Sequence, residues 1–301
     1  MTDKTLDVSA PKSAFLENIK KTDAHIVDEL IMERCPSFVG HWSWPAIRPA
    51  LYGTLGYNKA RRTADYLRTM RGQDGFDHLA EELDFKLTLN RIDRMPDKGR
   101  LVVAANHPTG LADGVAVWDA LREVRRDIVF FANADALRVN PEFSDVIIPV
   151  EWVMEKRTPA KTRETLRLAK EAFEAEKCVV IFPSGKLAKM VDGTLTEHEW
   201  MSSITSLARK YKAPVQPLNV TARNSWLYYL FSKINGELRD ITLFHELLNK
   251  KGSLFEMTFG PLIASDMLAG DTLQVTEAMR QYVSYELADN GDKAFAPLPE
   301  A

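Results

Sequence analysis

The sequence predicts an α/β protein: a layered αβα domain with a mainly parallel central sheet, preceded by an N-terminal helical segment. Three observations lead there. From about residue 85 onward, compact β-branched runs recur ("LVVAA", "DIVFFA", "DVIIPV", "CVVIFP"), as expected of strands buried on both faces. Stretches with apolar residues at helical spacing lie between them. The composition is that of a folded globular chain, with 45% hydrophobic residues in 301 and only 15 glycines and 15 prolines.

The elements follow in order. The first dozen residues, "MTDKTLDVSAPK", lack the apolar stretch of a signal peptide. Ser13 to Arg34 reads as a helix, with Phe15, Ile19, Ile26, Leu30 and Ile31 at roughly helical spacing. The aromatic stretch from Pro36 to Tyr57 contains Phe38, Trp42 and Trp44, expected contacts with a membrane surface or an acyl chain. Its prolines, His41 and Arg48 bar it from spanning a bilayer as one helix. In "YNKARRTADYLRTMRG" a second helix carries Lys59, Arg61, Arg62, Arg68 and Arg71, which suit either solvent or an anionic membrane. Residues 1–75 are thus expected to be helical and membrane-associating, packed on an α/β domain of residues 76–301. Within that domain "FKLTLNRI" alternates like a half-exposed strand, and "APVQPLNVT" and "LFEMTFGPLI" read as two later strands. Helices are expected over Gly114 to Arg122, Pro159 to Glu176, Trp200 to Lys212 and Thr272 to Ala288.

Several function classes lose support. A net charge of −3 and a pI near 6.1 give no general electrostatic reason to expect nucleic acid. No uninterrupted apolar run reaches the roughly 18 residues of a spanning helix. Cys35 and Cys178 are far apart and form no metal-like cluster, which suits a reducing, cytoplasmic setting. His25, His41, His78, His198 and His245 are scattered singly, so no metal and no bound cofactor are expected.

The stretch "VVAANHPTGLADG" carries the chemistry. His107 falls just past the carboxyl end of a predicted buried strand, where α/β sheets place functional groups. Five residues separate it from Asp113, enough for the chain to turn back and pair the two side chains. An imidazole titrates near neutral pH and can take a proton from a hydroxyl. A carboxylate on its other nitrogen fixes the tautomer and stabilises the cation. The plainer alternative makes Asp113 a helix cap and His107 a turn residue, and the two readings are compatible.

These residues resemble the first motif of the phospholipid and glycerol acyltransferase superfamily, usually N-H-x(4)-D. The gap here is one residue longer, which resembles the branch of hemolysin-like proteins and bacterial aminolipid O-acyltransferases. Further blocks follow in the family's order: "FFANADALR", "VVIFPSGKLAK" for the usual F-P-E-G-T-R, and "YKAPVQPLNVT". The resemblance implies transfer of a fatty acyl group from an acyl carrier protein or coenzyme A thioester to a lysolipid hydroxyl, with His107 as base and Asp113 as its support. It implies a cytoplasmic enzyme held peripherally at the inner membrane, acting on lysophosphatidic acid or a lyso-aminolipid. Asn106, Thr109, Gly110 and Asn133 are expected near the substrates, and backbone N–H groups around Pro183, Ser184 and Gly185 are candidate oxyanion donors. Ser184 and Leu187 replace the motif's Glu and Arg, which relatives associate with the acceptor's phosphate. Lys186, Lys189, Lys156 and Arg157 are therefore the candidate cations. The competing functions are a thioesterase or phospholipase that uses the same pair on water, and a lipid-binding protein without catalysis.

Overall fold

The computed structural model describes residues 13–16, 23–151 and 154–296. Its centre is a seven-stranded sheet in the order β1-β9-β8-β2-β5-β3-β4. The strands are β1 (Lys86–Asn90), β2 (Leu101–Ala105), β3 (Ile128–Asn133), β4 (Ile147–Val150), β5 (Cys178–Ile181), β8 (Val215–Thr221) and β9 (Leu254–Phe259). A separate hairpin joins β6 (Lys189–Val191) to β7 (Thr194–Thr196). The five strands from β8 to β4 run parallel, whereas β9 runs antiparallel to β8 and carries β1 parallel to itself. The sheet is therefore mainly parallel, with a reversed pair at one edge.

Residue alternation explains the layers. Along β2, Val103 and Ala105 enter one core cluster and Val102 and Ala104 the other. In β5, Val180 faces the first cluster while Val179 and Ile181 face the second. Helices α5 (Gly72–Leu83) and α6 (Leu111–Leu121) close the first face with Phe76, Leu79 and Trp118. On the second face α8 (Pro159–Glu174), α9 (Ser203–Lys210) and α13 (Thr272–Gln281) contribute Phe173, Ile204 and Met279. Each large side chain removed from water in this way stabilises the fold by roughly 1.5–3 kcal/mol before the entropy of ordering is subtracted.

A third cluster lies apart from the sheet. It joins α1 (Ile26–Arg34), α3 (Trp44–Thr54) and α4 (Tyr57–Leu67) to α11 (Gly236–Ile241) and α12 (Leu243–Leu248). Here the short helix α2 (Pro36–Val39) meets α11 through Ser37, whose N–H and hydroxyl donate to Glu237 at 3.1 and 2.7 Å. The helix expected from Ser13 begins only at Ile26, capped by the His25 ring, which accepts the Val27 N–H at 3.1 Å. Ile19, and the stretch 17–22 around it, lies outside the described residues. The expected boundary after residue 75 falls inside α5, which puts Phe76, Leu79, Ala80 and Leu83 into the core directly after it. The closing helix is interrupted by a π-helical turn over Tyr282–Glu286. Asn219 donates to the Val283 carbonyl there at 2.9 Å, meeting a backbone acceptor that the turn releases. No helix among the described residues is long and apolar enough to cross a membrane.

Candidate active site

His107 lies two residues beyond β2, on the rim formed by the carboxyl ends of the parallel strands. Asn106 fixes the exit of the strand. Its side-chain amide donates to the Val220 carbonyl at 2.9 Å and its oxygen accepts the Val220 N–H at 2.7 Å, tying the turn to β8. Pro108-Thr109-Gly110 then reverses the chain, and Gly110 takes φ +88° at the N-cap of α6. A side chain there would be strained, and its Cβ would come within 2.9 Å of Leu187 Cδ2.

Asp113 occupies the third position of α6 and is fully buried. Its Oδ2 accepts the N–H groups of Thr109 at 2.8 Å and Gly110 at 2.9 Å, and its Oδ1 accepts the Thr109 hydroxyl. The same Oδ2 lies 2.9 Å from His107 Nδ1. Despite that distance, the contact is bent and does not meet hydrogen-bond geometry. Capping and pairing thus coexist on one carboxylate. The imidazole stacks on Phe182, with centroids 4.4 Å apart and planes 25° apart, and stays 17% exposed. With Nδ1 facing the carboxylate, Nε2 is the ring nitrogen turned away from it.

The sequence reading missed one carboxylate. Glu197, just after β7, is 5% exposed and accepts the His107 backbone N–H at 3.0 Å. On the other side of the same residue, the Ala188 N–H donates to the His107 carbonyl at 2.8 Å. The β6–β7 hairpin therefore holds His107 from both sides. Trp200 Nε1 reaches Glu197 at 3.4 Å, and the Ser184 hydroxyl sits between Glu197 and the Lys186 carbonyl, the latter at 2.9 Å. Burial pushes the Glu197 carboxyl above its ordinary range, partly offset by Ser184, the His107 N–H and Trp200. Its only trace in the sequence is an acid beside a histidine in "TEHEW".

Comparison with protein-family models matches residues 86–221 to the Acyltransferase family. The matched stretch runs from β1 to β8 and holds both His107 and Asp113. The lyso-glycine lipid O-acyltransferase of Phocaeicola vulgatus is 23% identical over 204 residues, 65% of this chain and 71% of that one. A protein of the same description from Bacteroides thetaiotaomicron is 23% identical over 196 residues, covering 63% of this chain and 70% of that one. Among solved structures, the 1-acyl-sn-glycerophosphate acyltransferase PlsC of Thermotoga maritima is 12% identical, with a TM-score of 0.48 over 89% of this chain and 99% of that chain.

The remaining expected residues fall into separate places. Thr109, Gly110, Pro183, Ser184 and Gly185 adjoin the His107 turn. In the second turn Gly185 N–H is already bound to the Phe182 carbonyl at 3.0 Å and proline has no N–H, so the Ser184 N–H is the donor left there. Lys186 and Lys189 are exposed beside the hairpin. Burial, followed by the positive charges of Lys189, Lys186 and Arg239, lowers the pKa of nearby His198. The other group is engaged elsewhere: Asn133 accepts the Asp135 N–H at 2.9 Å, Lys156 pairs with Glu33 at 3.1 Å, and Arg157 donates to the Glu151 carbonyl at 2.9 Å. Among the aromatics, Trp42 is 86% exposed and Phe38 half-buried, but Trp44 is buried against Tyr52, so its expected membrane contact is corrected to core packing. Both cysteines are buried, and burial pushes the Cys178 thiol up to about 12, unsuited to nucleophilic attack.

Proposed function

We propose that this acyltransferase moves a fatty acyl group from an acyl carrier protein or coenzyme A thioester to the hydroxyl of a lysolipid. The observation that carries the reading is the 2.9 Å approach of buried Asp113 to His107 Nδ1 at the sheet rim. His107 Nε2 takes the acceptor's hydroxyl proton as its oxygen attacks the thioester carbonyl. A carbon–oxygen bond forms and the carbon–sulfur bond breaks. The departing thiolate takes the proton back from the imidazolium, so an ester and a free thiol result. Asp113 stabilises the imidazolium between those steps, and the Ser184 N–H is the donor offered to the oxyanion. No covalent enzyme intermediate is needed.

The acceptor is a lyso-aminolipid with an anionic head group. Two observations support this choice over lysophosphatidic acid: Ser184 and Leu187 present no charge, and both named relatives are lyso-glycine lipid O-acyltransferases. Lys186 and Lys189 supply the positive field for that head group, and the enzyme works peripherally at the inner-membrane surface. The test is product analysis by mass spectrometry with each thioester, given a lyso-glycine lipid, lysophosphatidic acid or no acceptor. Ester from the aminolipid, lost in His107→Ala, is the expected result. Ester from lysophosphatidic acid alone would overturn the head-group assignment, and free fatty acid alone would make the protein a hydrolase.

A further inference from the structure

We propose that α10 (Trp226–Ile234) is a membrane-docking element that seats the catalytic rim on an anionic bilayer. This deepens the lysolipid reading above and rests on it for its purpose. Trp226, Leu230 and Ile234 recur at i, i+4 and i+8 and are 74%, 40% and 63% exposed. Lys233 lies on the same side of the helix and is also exposed. The far side is anchored by buried Tyr228, and Leu227, flanking the stripe, packs against the third cluster. Such a helix, apolar toward solvent yet fixed to the protein from behind, has the pattern of one that lies in the plane of a lipid interface.

The helix is also rigidly placed. Ser225 caps it, accepting the Tyr228 N–H at 3.3 Å, and the Ser225 N–H and hydroxyl donate to Glu246 at 2.8 and 2.5 Å. Glu246 is itself held by buried Lys250 at 2.8 Å. Only residues 222–225 separate α10 from β8, whose Val220 is bonded to Asn106 beside His107. Leu111, at the start of the Asp113 helix, is 47% exposed on the same rim.

Charge identifies the bilayer as the occupant. From Ala222 to Asn235 the chain carries Arg223 and Lys233 and no acidic residue. From Pro36 to Ala64 it carries Arg48, Lys59, Arg61 and Arg62, again with no acidic residue, although the whole chain is net negative at −3. That second segment bears exposed Trp42 and Ile47, and it packs on the same helical cluster as α10. Exposed tryptophans on two segments that carry cations and no acid of their own match an anionic lipid surface.

The experiment uses the full chain and vesicles of phosphatidylcholine with or without about one-third phosphatidylglycerol, a mixture that supplies a negative surface. Sedimentation should show binding that needs the anionic lipid, and Trp226→Ser/Leu230→Ser/Ile234→Ser should weaken it by about tenfold or more. Quenching of tryptophan fluorescence by brominated lipid should fall in Trp226→Phe alone, which guards against misfolding of the triple variant. Acyl transfer measured in detergent micelles should be the same in both proteins. Wild-type activity absent from micelles would fail the enzymatic reading and leave the docking result standing by itself. Undiminished vesicle binding by the triple variant, binding indifferent to anionic lipid, or a wild-type dimer that the variant dissolves would each overturn the proposal, the last by giving the stripe to a second copy of the chain.

Discussion

Replacing Asp113 with asparagine tests the catalytic pair with little change of shape. Oδ2 receives two backbone N–H groups and faces His107, so an asparagine must keep its oxygen at that position. Its amide nitrogen then points at Thr109, whose hydroxyl can turn to accept. Three bonds lose charge assistance, at a cost of about 1–3 kcal/mol in stability. The effect on catalysis is larger. At 2.9 Å and an effective dielectric of about 20, an ionised pair attracts by about 6 kcal/mol, and the dipole of a neutral amide recovers part of this. A loss of roughly 3–6 kcal/mol of imidazolium stabilisation corresponds to about 100- to 10,000-fold in kcat. Single-turnover acyl transfer with purified Asp113→Asn, beside a thermal melt to establish folding, measures both numbers. A folded variant within about threefold of wild-type kcat would refute the argument that this carboxylate supports a charged His107.

Three further perturbations separate support from chemistry. Glu197→Gln keeps the shape but offers the His107 N–H a neutral acceptor, so kcat should fall about tenfold with KM little changed. Because burial raises the Glu197 pKa in the folded chain, its ionisation opposes folding as pH climbs from 4.5 toward that raised value, and urea titrations across this window should show Glu197→Gln gaining on wild type as pH rises. Gly110→Ala places a Cβ at φ +88° and within 2.9 Å of Leu187, and should cost about 1–3 kcal/mol; adding Leu187→Ala should recover the steric part but not the backbone part in a double-mutant cycle. Glu246→Gln leaves the Lys250 ammonium buried without its anion, so the melt should report a loss of about 3–5 kcal/mol.

What was legible in the sequence is what one strand or one turn determines. Strands buried on both faces announce themselves as unbroken apolar runs, and His107 stands out because a polar residue ends such a run. Strand direction leaves no such mark. The alternation of β1 and β9 is the same in either orientation, so their reversal depends on connections through α10 to α12. Those helices were not anticipated, because the boundaries between them rest on capping. Asn235 alone ends one helix and starts the next, its side chain accepting the N–H groups of Glu237 at 2.7 Å and Leu238 at 3.3 Å. Trp42 and Trp44 look alike in sequence, yet Trp42 stands exposed in the turn before α3, whereas Trp44 opens that helix and is buried. Glu197 is 90 residues from His107, and only the fold of the β6–β7 hairpin makes them neighbours.

The two departures from the family's third motif then acquire a physical meaning. Leu187, in the position of the usual arginine, packs against Gly110 where only a glycine leaves it room. Ser184, in the position of the usual glutamate, places its hydroxyl beside Glu197, the carboxylate that also holds the His107 backbone. Both substitutions bind the third motif to the first through contacts inside the protein. An arginine at 187 would bring a long cation against the turn that holds Asp113, and would compete with His107 for that carboxylate's charge. The loss of charge at 184 and 187 therefore has a structural consequence at the catalytic pair, separate from any change of head group. Ser184→Ala and Leu187→Arg should consequently alter kcat with a good acceptor as well as the choice of acceptor, whereas Lys186→Ala and Lys189→Ala should act through acceptor KM alone. Steady-state kinetics with a single acceptor distinguishes them, and a kcat untouched by both substitutions at 184 and 187 would show that the contacts serve folding only.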